Sequence, residues 1–480
     1  MPKKKYEPNW ESISQYQIPD WFADSKFGIF IHWGAYSVPA YGSEWYPRRM
    51  YEKGIVRNAK GEIKKKAKDE VYQYHKAKYG DPSKFGYKDF IPMFKGENFN
   101  ANEWVDLFQK AGAKYVIPVA EHHDGFAMYK STKTRWNAVD MGPKKDILGE
   151  LAKASKAKGL KFGASSHYAF NWNYYTKEKG WDTEDPQYAD LYGRPHTQYE
   201  ACDEEFLNHW WERTTEIIDA YQPDVLWFDF YIDRPEFIPY HTKLAAYYYN
   251  KGLDWEKDVV LQTKNFHLES FPAGSNVLDI ERGKLADIRK FPWQTDTSVG
   301  KNSWGYVSNW ISKTPKTLVH DLVDIVSKNG CMLLNVGPKS DGTIPQDQAD
   351  VLLAIGDWLN TNGEAIYDTR PWKRFGEGPT EVKKGHHSEG KNKSFTAEDF
   401  RFTQKEGALY AVMLGWPEDG KARIKCLGEG NEYLEQNIKS VSMLGHEGAL
   451  DWNTTEEALE ISLPAKASGE HAYTFKLMLE

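Results

Sequence analysis

Residues 147–165 read ILGELAKASKAKGLKFGAS, and this stretch sets the pattern for most of the chain. In residues 147–158 apolar side chains recur three and four positions apart, which predicts a helix packed along one face. Gly159 ends this helix, and residues 160–165 form a short apolar run typical of a buried strand. A helix that leads directly into a buried strand is the repeating unit of parallel α/β folds.

The same alternation extends from about residue 27 to residue 365. Further strand-like runs occupy residues 27–33, 115–120, 225–230, 259–263, 277–280 and 332–336. Further helical segments occupy residues 103–110, 205–221, 318–327 and 346–359. This many repeats predicts a (β/α)8-type (TIM-like) barrel, with an open doubly wound sheet as the alternative. No Gly-x-Gly-x-x-Gly follows any of these strands, so a dinucleotide site has no support.

The period of the pattern changes near residue 368. Short alternating runs then occupy residues 400–403, 409–414, 422–427, 440–444, 459–463 and 473–479, with Gly, Asn and Asp turns between them. This pattern predicts a smaller antiparallel β-sandwich. We therefore expect a catalytic barrel domain over residues 1–367 and a C-terminal β-sandwich domain over residues 368–480.

Composition excludes several classes of function. The 480 residues carry 62 basic and 69 acidic side chains. The net charge of -7 is not the excess of basic residues that is typical of a nucleic-acid-binding protein. The longest apolar runs are too short to cross a bilayer. Cys202, Cys331 and Cys426 cannot form a disulfide framework, and their spacing matches no zinc cluster. The aromatic share of 15% suits either a large core or the faces of sugar rings.

Polar residues occur where the strand-like runs end. They are His32 and Trp33, then Glu121, His122, His123 and Asp124, then His167 and Tyr168, then Asp229, then Lys264 and Asn265, and finally Glu281 and Arg282. In a (β/α)8 barrel all these ends open on one face, where active sites are built. The pattern therefore predicts an enzyme active site at the carboxyl ends of the strands.

Two carboxylates stand out in this set. Asp229 lies in the apolar run VLWFDF (225–230), where an ionised carboxylate costs several kcal/mol unless donors or water meet it. We interpret it as catalytic rather than as the cap of a turn. Glu281 lies two positions after Asp279, so period-two alternation places Asp279 on the same face and nearer the barrel floor. A local ion pair with Arg282 is an equally good interpretation of Glu281.

A metal site is one interpretation of the histidines at positions 32, 122 and 123, because histidine is a common metal ligand. Metal-dependent barrel hydrolases usually need two histidines on the same face of one strand. Adjacent residues of a strand point to opposite sides, so we expect no metal here. Neutral imidazoles suit hydrogen bonds to vicinal hydroxyls better. A Ser/His/Asp triad lacks its Gly-x-Ser-x-Gly signature, and Cys331 is expected to be inert core.

Six motifs occur in order between about residues 20 and 370. They are residues 21–34 (WFADSKFGIFIHWG), 44–46 (EWY), 120–127 (AEHHDGFA), 223–229 (PDVLWFD), 303–306 (SWGY) and 329–338 (NGCMLLNVGP). Together these motifs resemble those of the α-L-fucosidases of glycoside hydrolase family 29. That family commonly carries a β-sandwich after its barrel, in agreement with the strand pattern.

The resemblance implies a retaining exo-α-L-fucosidase that removes terminal α-L-fucose without a metal or an organic cofactor. Carried over by position, Asp229 is the expected nucleophile and Glu281 the expected acid/base, with Glu269 as the fallback. Lys264 and Arg282 compete for the place of the cation beside the acid/base. The expected fucose-binding residues are His32, Glu44, Trp45, His122, His123, Tyr168, Trp211 and Trp304.

Two other functions stay open on the sequence: a non-catalytic fucose-binding protein on a hydrolase scaffold, and a metal-dependent barrel hydrolase. The expected partner is a fucosylated oligosaccharide or polysaccharide, with no nucleic acid and no membrane. The basic residues 1–5 precede no apolar stretch, so they are no signal peptide. A cytoplasmic protein stays open, but members of the resembled family usually meet glycans outside the cytoplasm, so we favour a periplasmic or secreted protein.

Overall fold

The structure is a computed structural model that describes residues 5–57, 63–66, 69–197, 200–264 and 271–480. Eight parallel strands form a closed barrel, in which each strand pairs with the next along the chain and the eighth pairs with the first. In order they are Phe27–Ile31, Tyr115–Glu121, Lys161–Ser166, Val225–Phe228, Val260–Thr263, Val277–Asp279, Trp293–Ser298 and Gly330–Val336. The prediction of a (β/α)8-type barrel is confirmed.

The seventh strand, Trp293–Ser298, is the one that the sequence pattern does not reveal. Its residues read WQTDTS, and all six are buried. Inside the barrel the amide of Gln294 accepts from the Tyr115 hydroxyl at 2.8 Å and donates to Asp279 Oδ2 at 2.5 Å. Because these hydrogen bonds pair the amide of Gln294, the strand can be buried without an apolar run.

Helices cover the outside of the barrel. The longer ones are Ala101–Lys110, Ile147–Ala157, Glu204–Tyr221, Ile238–Asp254, Pro315–Ser327 and Gln346–Asn362. In the first of these the Asn100 side chain caps the first turn, and Trp104, Val105 and Phe108 are buried. The sequence pattern misses only Ile238–Asp254 among these six, where consecutive tyrosines (247–249) obscure the apolar period. In the described part of the chain, no helix combines the length and apolarity that a membrane span needs.

Shorter elements fill the connections between the strands. The short α-helices are Trp10–Ile13, Asp20–Ser25, Tyr46–Arg49, Glu70–Lys78, Asn171–Tyr174 and Ala189–Tyr192, and Ile55–Arg57 pairs with Ile63–Lys66 in a small hairpin. The 3-10 helices include Ala35–Ser37, Tyr87–Met93, Tyr168–Phe170 and Gly363–Ala365. The connection from the sixth to the seventh barrel strand, residues 280–292, is described throughout and contains no helix. It carries Glu281.

Large side chains fill the barrel interior. Phe30, Tyr115 and Trp227 belong to one buried cluster there. A Cβ on Gly28 would lie only 2.3 Å from the Tyr115 ring, so this ring can cross the barrel only because residue 28 is glycine. Cys331 is in the same cluster, and burial raises the pKa of its thiol to about 11. The thiol is therefore inert at neutral pH, as the sequence predicts.

Two antiparallel sheets follow the barrel. The larger contains, in spatial order, Arg370–Glu377, Phe400–Lys405, Ala408–Met413, Tyr473–Leu479 and Ile438–Met443, and the smaller contains Lys421–Ile424, Leu459–Ser462 and Trp452–Thr454. They share one apolar core that includes Phe402, Leu409 and Ile424. The predicted β-sandwich is confirmed, with Arg370–Glu377 and Trp452–Thr454 as strands that the pattern misses.

A buried ionic cluster joins the barrel to the sandwich. Asp324, on helix Pro315–Ser327, lies 2.8 Å from Lys328 Nζ and 2.6 Å from Arg401 Nε in the larger sheet. We propose a domain boundary between residues 367 and 368, because the last long barrel helix ends at Asn362 and the first strand of the larger sheet begins at Arg370.

Candidate active site

A cavity of about 360 Å³ opens at the carboxyl ends of the barrel strands. Eight of the ten site residues expected from the sequence line it, and they are His32, Glu44, Trp45, His122, His123, Asp229, Glu281 and Trp304. The fold therefore brings together side chains that lie up to about 270 positions apart in the chain. Glu269, the fallback for the acid/base, lies outside the described residues.

Tyr168 and Trp211 lie outside the cavity. The chain enters a 3-10 turn after the third strand, so His167 points into the cavity while Tyr168 points away and packs against the guanidinium of Arg213, 4.1 Å from its ring centre. Trp211 lies on the outer helix Glu204–Tyr221, where it packs against Tyr247. The structure therefore does not bring Tyr168 and Trp211 into this cavity, and their contact with the sugar stays a prediction from the sequence.

Asp229 is buried at the end of the fourth strand, where its carboxylate meets three nitrogen atoms. Oδ1 lies 3.0 Å from Lys264 Nζ, and Oδ2 lies 3.1 Å from His167 Nδ1 and 3.2 Å from His123 Nε2. Burial favours the neutral acid, but Lys264 and His167 outweigh it and hold the pKa of Asp229 well below its usual range. Asp229 is therefore an ionised carboxylate.

Lys264 connects the two carboxylates that the sequence singles out. Its Nζ lies 3.0 Å from Asp229 Oδ1 and 3.0 Å from Glu281 Oε2, so these two oxygens are at most 6.0 Å apart. Asp296 of the seventh strand lies 3.0 Å from the same nitrogen. Burial favours the neutral amine, but Asp229 and Asp296 raise the pKa of Lys264 well above its usual value. The lysine therefore remains a cation at the centre of the cavity.

Arg282, the neighbour of Glu281 in the chain, pairs with another carboxylate. Its Nη1 lies 2.9 Å from Glu389 Oε1, and its Cζ lies 4.4 Å from the ring centre of Trp304. Arg282 therefore supports the cavity wall and does not form the local ion pair with Glu281 that the sequence leaves open. Lys264 is the cation beside Glu281.

Two buried histidines have defined neutral tautomers. Burial lowers the pKa of both His32 and His167. His32 Nδ1 lies 2.8 Å from Asn335 Oδ1, which can only accept, so Nδ1 carries the proton and Nε2 keeps its lone pair. His167 donates from Nδ1 to Asp229, and its Nε2 accepts from the Ser165 hydroxyl at 3.2 Å. His32 therefore offers an acceptor to a ligand hydroxyl, whereas His167 orients Asp229.

His122 presents a polar atom that the protein itself does not satisfy. Its Nδ1 is buried and has no hydrogen-bond partner among the described residues. Burial lowers the pKa of His122 well below its usual value, so the ring is neutral. Leaving this buried nitrogen without a partner costs about 1–3 kcal/mol.

Two of the sequence motifs meet at Glu44. Its Oε2 accepts from the Ser303 hydroxyl at 3.0 Å and from the N–H of Trp304 at 2.9 Å. The EWY and SWGY motifs therefore form one continuous wall of the cavity. Trp45 of the same wall lies nearly parallel to Phe230, with ring centres 6.5 Å apart. Apolar ring faces beside charged and polar groups are the combination that a sugar requires.

Histidines and a carboxylate also come close enough together to hold a cation. Two triads place their ligand atoms within 4.8 Å of one another, and they are His32–His122–His167 and His123–His167–Asp229. The sequence reasoning against a metal assumed that His122 and His123 point to opposite sides of a strand. That assumption is wrong, because the strand ends at Glu121 and both side chains line the cavity. The donor atoms therefore fit a divalent cation as well as a sugar.

The structure adds His167, Phe230, Asp296 and His387 to the residues selected from the sequence. His167 lies at a strand end, and this position marks it as a candidate site residue. The sequence does not show whether His167 or its neighbour Tyr168 faces the site. Asp296 lies on the strand without an apolar run. His387 comes from beyond the barrel, and its only signal is a second His–His doublet at 386–387.

Family comparisons agree with this geometry over both parts of the chain. A family model described as alpha-L-fucosidase matches residues 1–364. The chain belongs to the α-L-fucosidase family. A second model, described as alpha-L-fucosidase C-terminal domain, matches residues 392–478. The resemblance to glycoside hydrolase family 29 is thereby confirmed, and this family member is an enzyme, a glycoside hydrolase.

Relatives of this α-L-fucosidase family member match nearly its whole length. Tissue alpha-L-fucosidase of Rattus norvegicus is 32% identical over 98% of this chain and 92% of its own. The crystal structure of Thermotoga maritima alpha-fucosidase with a mechanism-based inhibitor is 30% identical, with a TM-score of 0.77 over 99% of this chain and 100% of that one. Its complex with fucose is 31% identical, with a TM-score of 0.75 at the same coverage.

Proposed function

We propose that this protein is a retaining exo-α-L-fucosidase in which Asp229 is the nucleophile and Glu281 the acid/base. The observation that carries the proposal is the shared contact with Lys264, which limits the separation of the two contacting oxygens to 6.0 Å. Retaining glycosidases have carboxyl groups about 5–5.5 Å apart, whereas inverting ones need about 6.5–9.5 Å to admit a water. The limit therefore favours retention.

In the first half of the reaction, Asp229 attacks the anomeric carbon of fucose. The bond from this carbon to the leaving-group oxygen breaks, and protonated Glu281 gives its proton to that oxygen. The product is a fucosyl-aspartyl ester. Lys264 and His167 favour this step because they keep Asp229 ionised before the attack.

In the second half, water attacks the same carbon from the face that the leaving group has vacated. Glu281, now a carboxylate, takes a proton from this water, and the ester bond to Asp229 breaks. Esterified Asp229 carries no charge during this half, in which Glu281 is the base. Two successive inversions at the carbon give net retention of configuration.

The cavity suits one terminal fucose unit. Its volume of about 360 Å³ lies at the small end of the range for ligand pockets, about 300–1,000 Å³. His32 Nε2 and Glu44 are available to the sugar hydroxyls, and Trp45 with Phe230 offers an apolar surface to the C5-methyl end. The relatives named as α-L-fucosidases and the neighbour crystallised with fucose support this substrate class. We expect a fucosylated oligosaccharide or polysaccharide.

Covalent trapping tests the proposal. We expect a 2-fluoro-fucosyl fluoride to inactivate the enzyme and to label a peptide that contains Asp229. The Asp229→Asn variant is the matched control and should remain unlabelled. Proton NMR of the first-formed sugar should show α-L-fucose. A label on another residue, or β-L-fucose as the first product, would contradict the assignment.

Two further measurements separate this proposal from its alternatives. A non-catalytic fucose-binding protein would bind an aryl α-L-fucoside without releasing the aryl alcohol. A metal-dependent hydrolase that uses the histidine triads would lose activity after exhaustive chelation and regain it with a divalent cation. We expect turnover, and we expect chelation to leave its rate unchanged.

A further inference from the structure

Residues 385–389 lie beyond the barrel in the chain but return to the mouth of the active site. The chain first forms the sheet strand Arg370–Glu377, then reaches the barrel with these five residues, and then begins the next sheet strand, Phe400–Lys405. We call residues 385–389 the docking arm. It lies outside both family-model matches, 1–364 and 392–478, so neither of them covers it.

Backbone contacts align the docking arm with the loop that carries Glu281. Three hydrogen bonds join the two segments: Gly385 N–H to Lys284 O (2.9 Å), His387 N–H to Glu281 O (2.8 Å) and Glu389 N–H to Arg282 O (2.9 Å). A Cβ on Gly283 would lie 2.2 Å from the carbonyl oxygen of Gly385. Glycine at position 283 therefore allows the two backbones to approach this closely.

Two side chains of the docking arm hold the same loop. His386 Nδ1 accepts a hydrogen bond from the N–H of Glu281 at 3.0 Å, and burial lowers the pKa of His386, so this nitrogen keeps its lone pair. Glu389 lies 2.9 Å from Arg282 Nη1 and 2.8 Å from Lys313 Nζ. Burial alone would raise the pKa of Glu389, but Lys313 and Arg282 lower it to about 2. The carboxylate therefore stays charged.

The loop has no helix of its own, so neighbouring segments support it. Barrel strand Trp293–Ser298 accepts hydrogen bonds from its backbone, Ile280 N–H to Gln294 O and Arg282 N–H to Asp296 O, both at 2.8 Å, and the docking arm contacts the same stretch. Residues 280–292 connect two barrel strands without the helix that anchors most of the other connections. The docking arm contacts Glu281 itself on both sides of its side chain, at its N–H and at its carbonyl oxygen. Through Arg282 it also reaches Trp304, a wall of the cavity. A small displacement of a proton donor from its acceptor is enough to slow proton transfer.

We propose that the docking arm positions the acid/base, with His386 and Glu389 acting as positioning residues for Glu281. The inference rests on the proposed function, because it concerns the step in which Glu281 protonates the leaving group. A damaged docking arm should slow cleavage only as far as the leaving group needs that proton. Loss of fold stability alone would instead lower the rate for every substrate alike.

The experiment measures kcat/KM for aryl α-L-fucosides that range from dinitrophenyl, a good leaving group, to phenyl, a poor one. The variants are His386→Ala and Glu389→Gln, with Glu281→Gln as the reference for complete loss of acid catalysis. We expect both variants to cleave the dinitrophenyl substrate at nearly the wild-type rate. With the phenyl substrate we expect a loss of about 10–100-fold, a part of the 10²–10⁴-fold that general acid catalysis contributes.

His446→Ala is the matched control, because His446 is half-buried in the sandwich and outside the docking arm. It should match the wild type with every leaving group. Glu389→Gln keeps the size of its side chain, so it remains informative if His386→Ala does not fold. Equal losses for all leaving groups, or no loss for the phenyl substrate, would overturn the proposal. Failure of the wild type to cleave any aryl α-L-fucoside would overturn the proposed function as well.

Discussion

Lys264 and Asp229 form a buried ion pair in which Nζ lies 3.0 Å from Oδ1. The two residues are only 3% and 6% exposed, so solvent screens their attraction little. Each charge has further partners that compensate for its burial: two histidines face Asp229, and Glu281 and Asp296 face Lys264. The charge state of the proposed nucleophile is therefore tied to one lysine.

We expect Lys264→Met to lower kcat/KM for an aryl α-L-fucoside by about 10²–10³-fold, as for other losses of a buried charge-stabilising group. Burial raises the pKa of Asp229, and Lys264 is the strongest of the groups that lower it. The substitution should therefore raise this pKa. The ionised form is the nucleophile, so the acidic limb of the kcat/KM profile should move to higher pH. Lys26→Met, which alters a buried lysine just before the first strand, should leave the limb in place. An unmoved limb in Lys264→Met would refute this explanation.

His167→Ala and Tyr168→Phe should differ sharply although their positions are adjacent. His167 donates to Asp229, so its loss should lower kcat/KM by about 10²-fold or more. Tyr168 lies outside the cavity, so Tyr168→Phe should keep nearly wild-type kinetics. Steady-state kinetics on one aryl fucoside are enough. If Tyr168→Phe lost as much activity as His167→Ala, the sequence-based placement of Tyr168 in the sugar pocket would be supported.

Glu281→Gln should impair both halves of the reaction. Without the acid, kcat/KM for poor leaving groups should fall by about 10²–10⁴-fold. Azide needs no general base, so it should accelerate breakdown of the ester and yield fucosyl azide, detectable by mass spectrometry. Glu269→Gln is the control and should behave like the wild type. The opposite outcome, with azide rescue only in Glu269→Gln, would move the acid/base to residue 269.

Asp324→Ala should destabilise the contact between barrel and sandwich. It leaves Lys328 and Arg401 buried without their carboxylate, which costs about 3–5 kcal/mol in the free energy of unfolding. Burial alone would raise the pKa of Asp324, but Lys328 and Arg401 depress it, so its charge stabilises the fold above the ordinary carboxyl pKa of about 3.9. This contribution is lost as the pH falls below that value.

The measurement is the free energy of unfolding in urea, for the wild type and Asp324→Ala, from neutral pH down to below the ordinary carboxyl pKa. The difference between the two proteins should be largest near neutral pH and should shrink in acid. Asp419→Ala is the control, because it removes an exposed carboxylate that also pairs with an arginine, Arg423. It should leave the midpoint of the urea unfolding transition unchanged. A difference between the wild type and Asp324→Ala that does not depend on pH would mean that the charge of Asp324 contributes nothing.

Most of the fold can be predicted from the sequence because the patterns that indicate helices and strands are local. Apolar period and glycine stops within about twenty residues predict the helix Ile147–Ala157 and the strand after it. Strand Trp293–Ser298 gives no such signal, because it consists mostly of polar residues, of which Gln294 bonds to Gln262 and Asp279 on other strands. The residue pattern of one segment does not show whether residues from other segments will hydrogen-bond its buried polar side chains.

Patterns in the amino-acid sequence are enough to predict the barrel, the sandwich, the family and the placement of Asp229 and Glu281 at strand ends. The folded chain alone shows that His167, and not Tyr168, faces the cavity, because the dihedral angles of the turn set the direction of a side chain after a strand. It also shows that Lys264 bridges both carboxylates and that His386, 105 positions beyond Glu281, holds its backbone. Such contacts depend on where distant segments meet, whereas periodicity reports only burial along one segment.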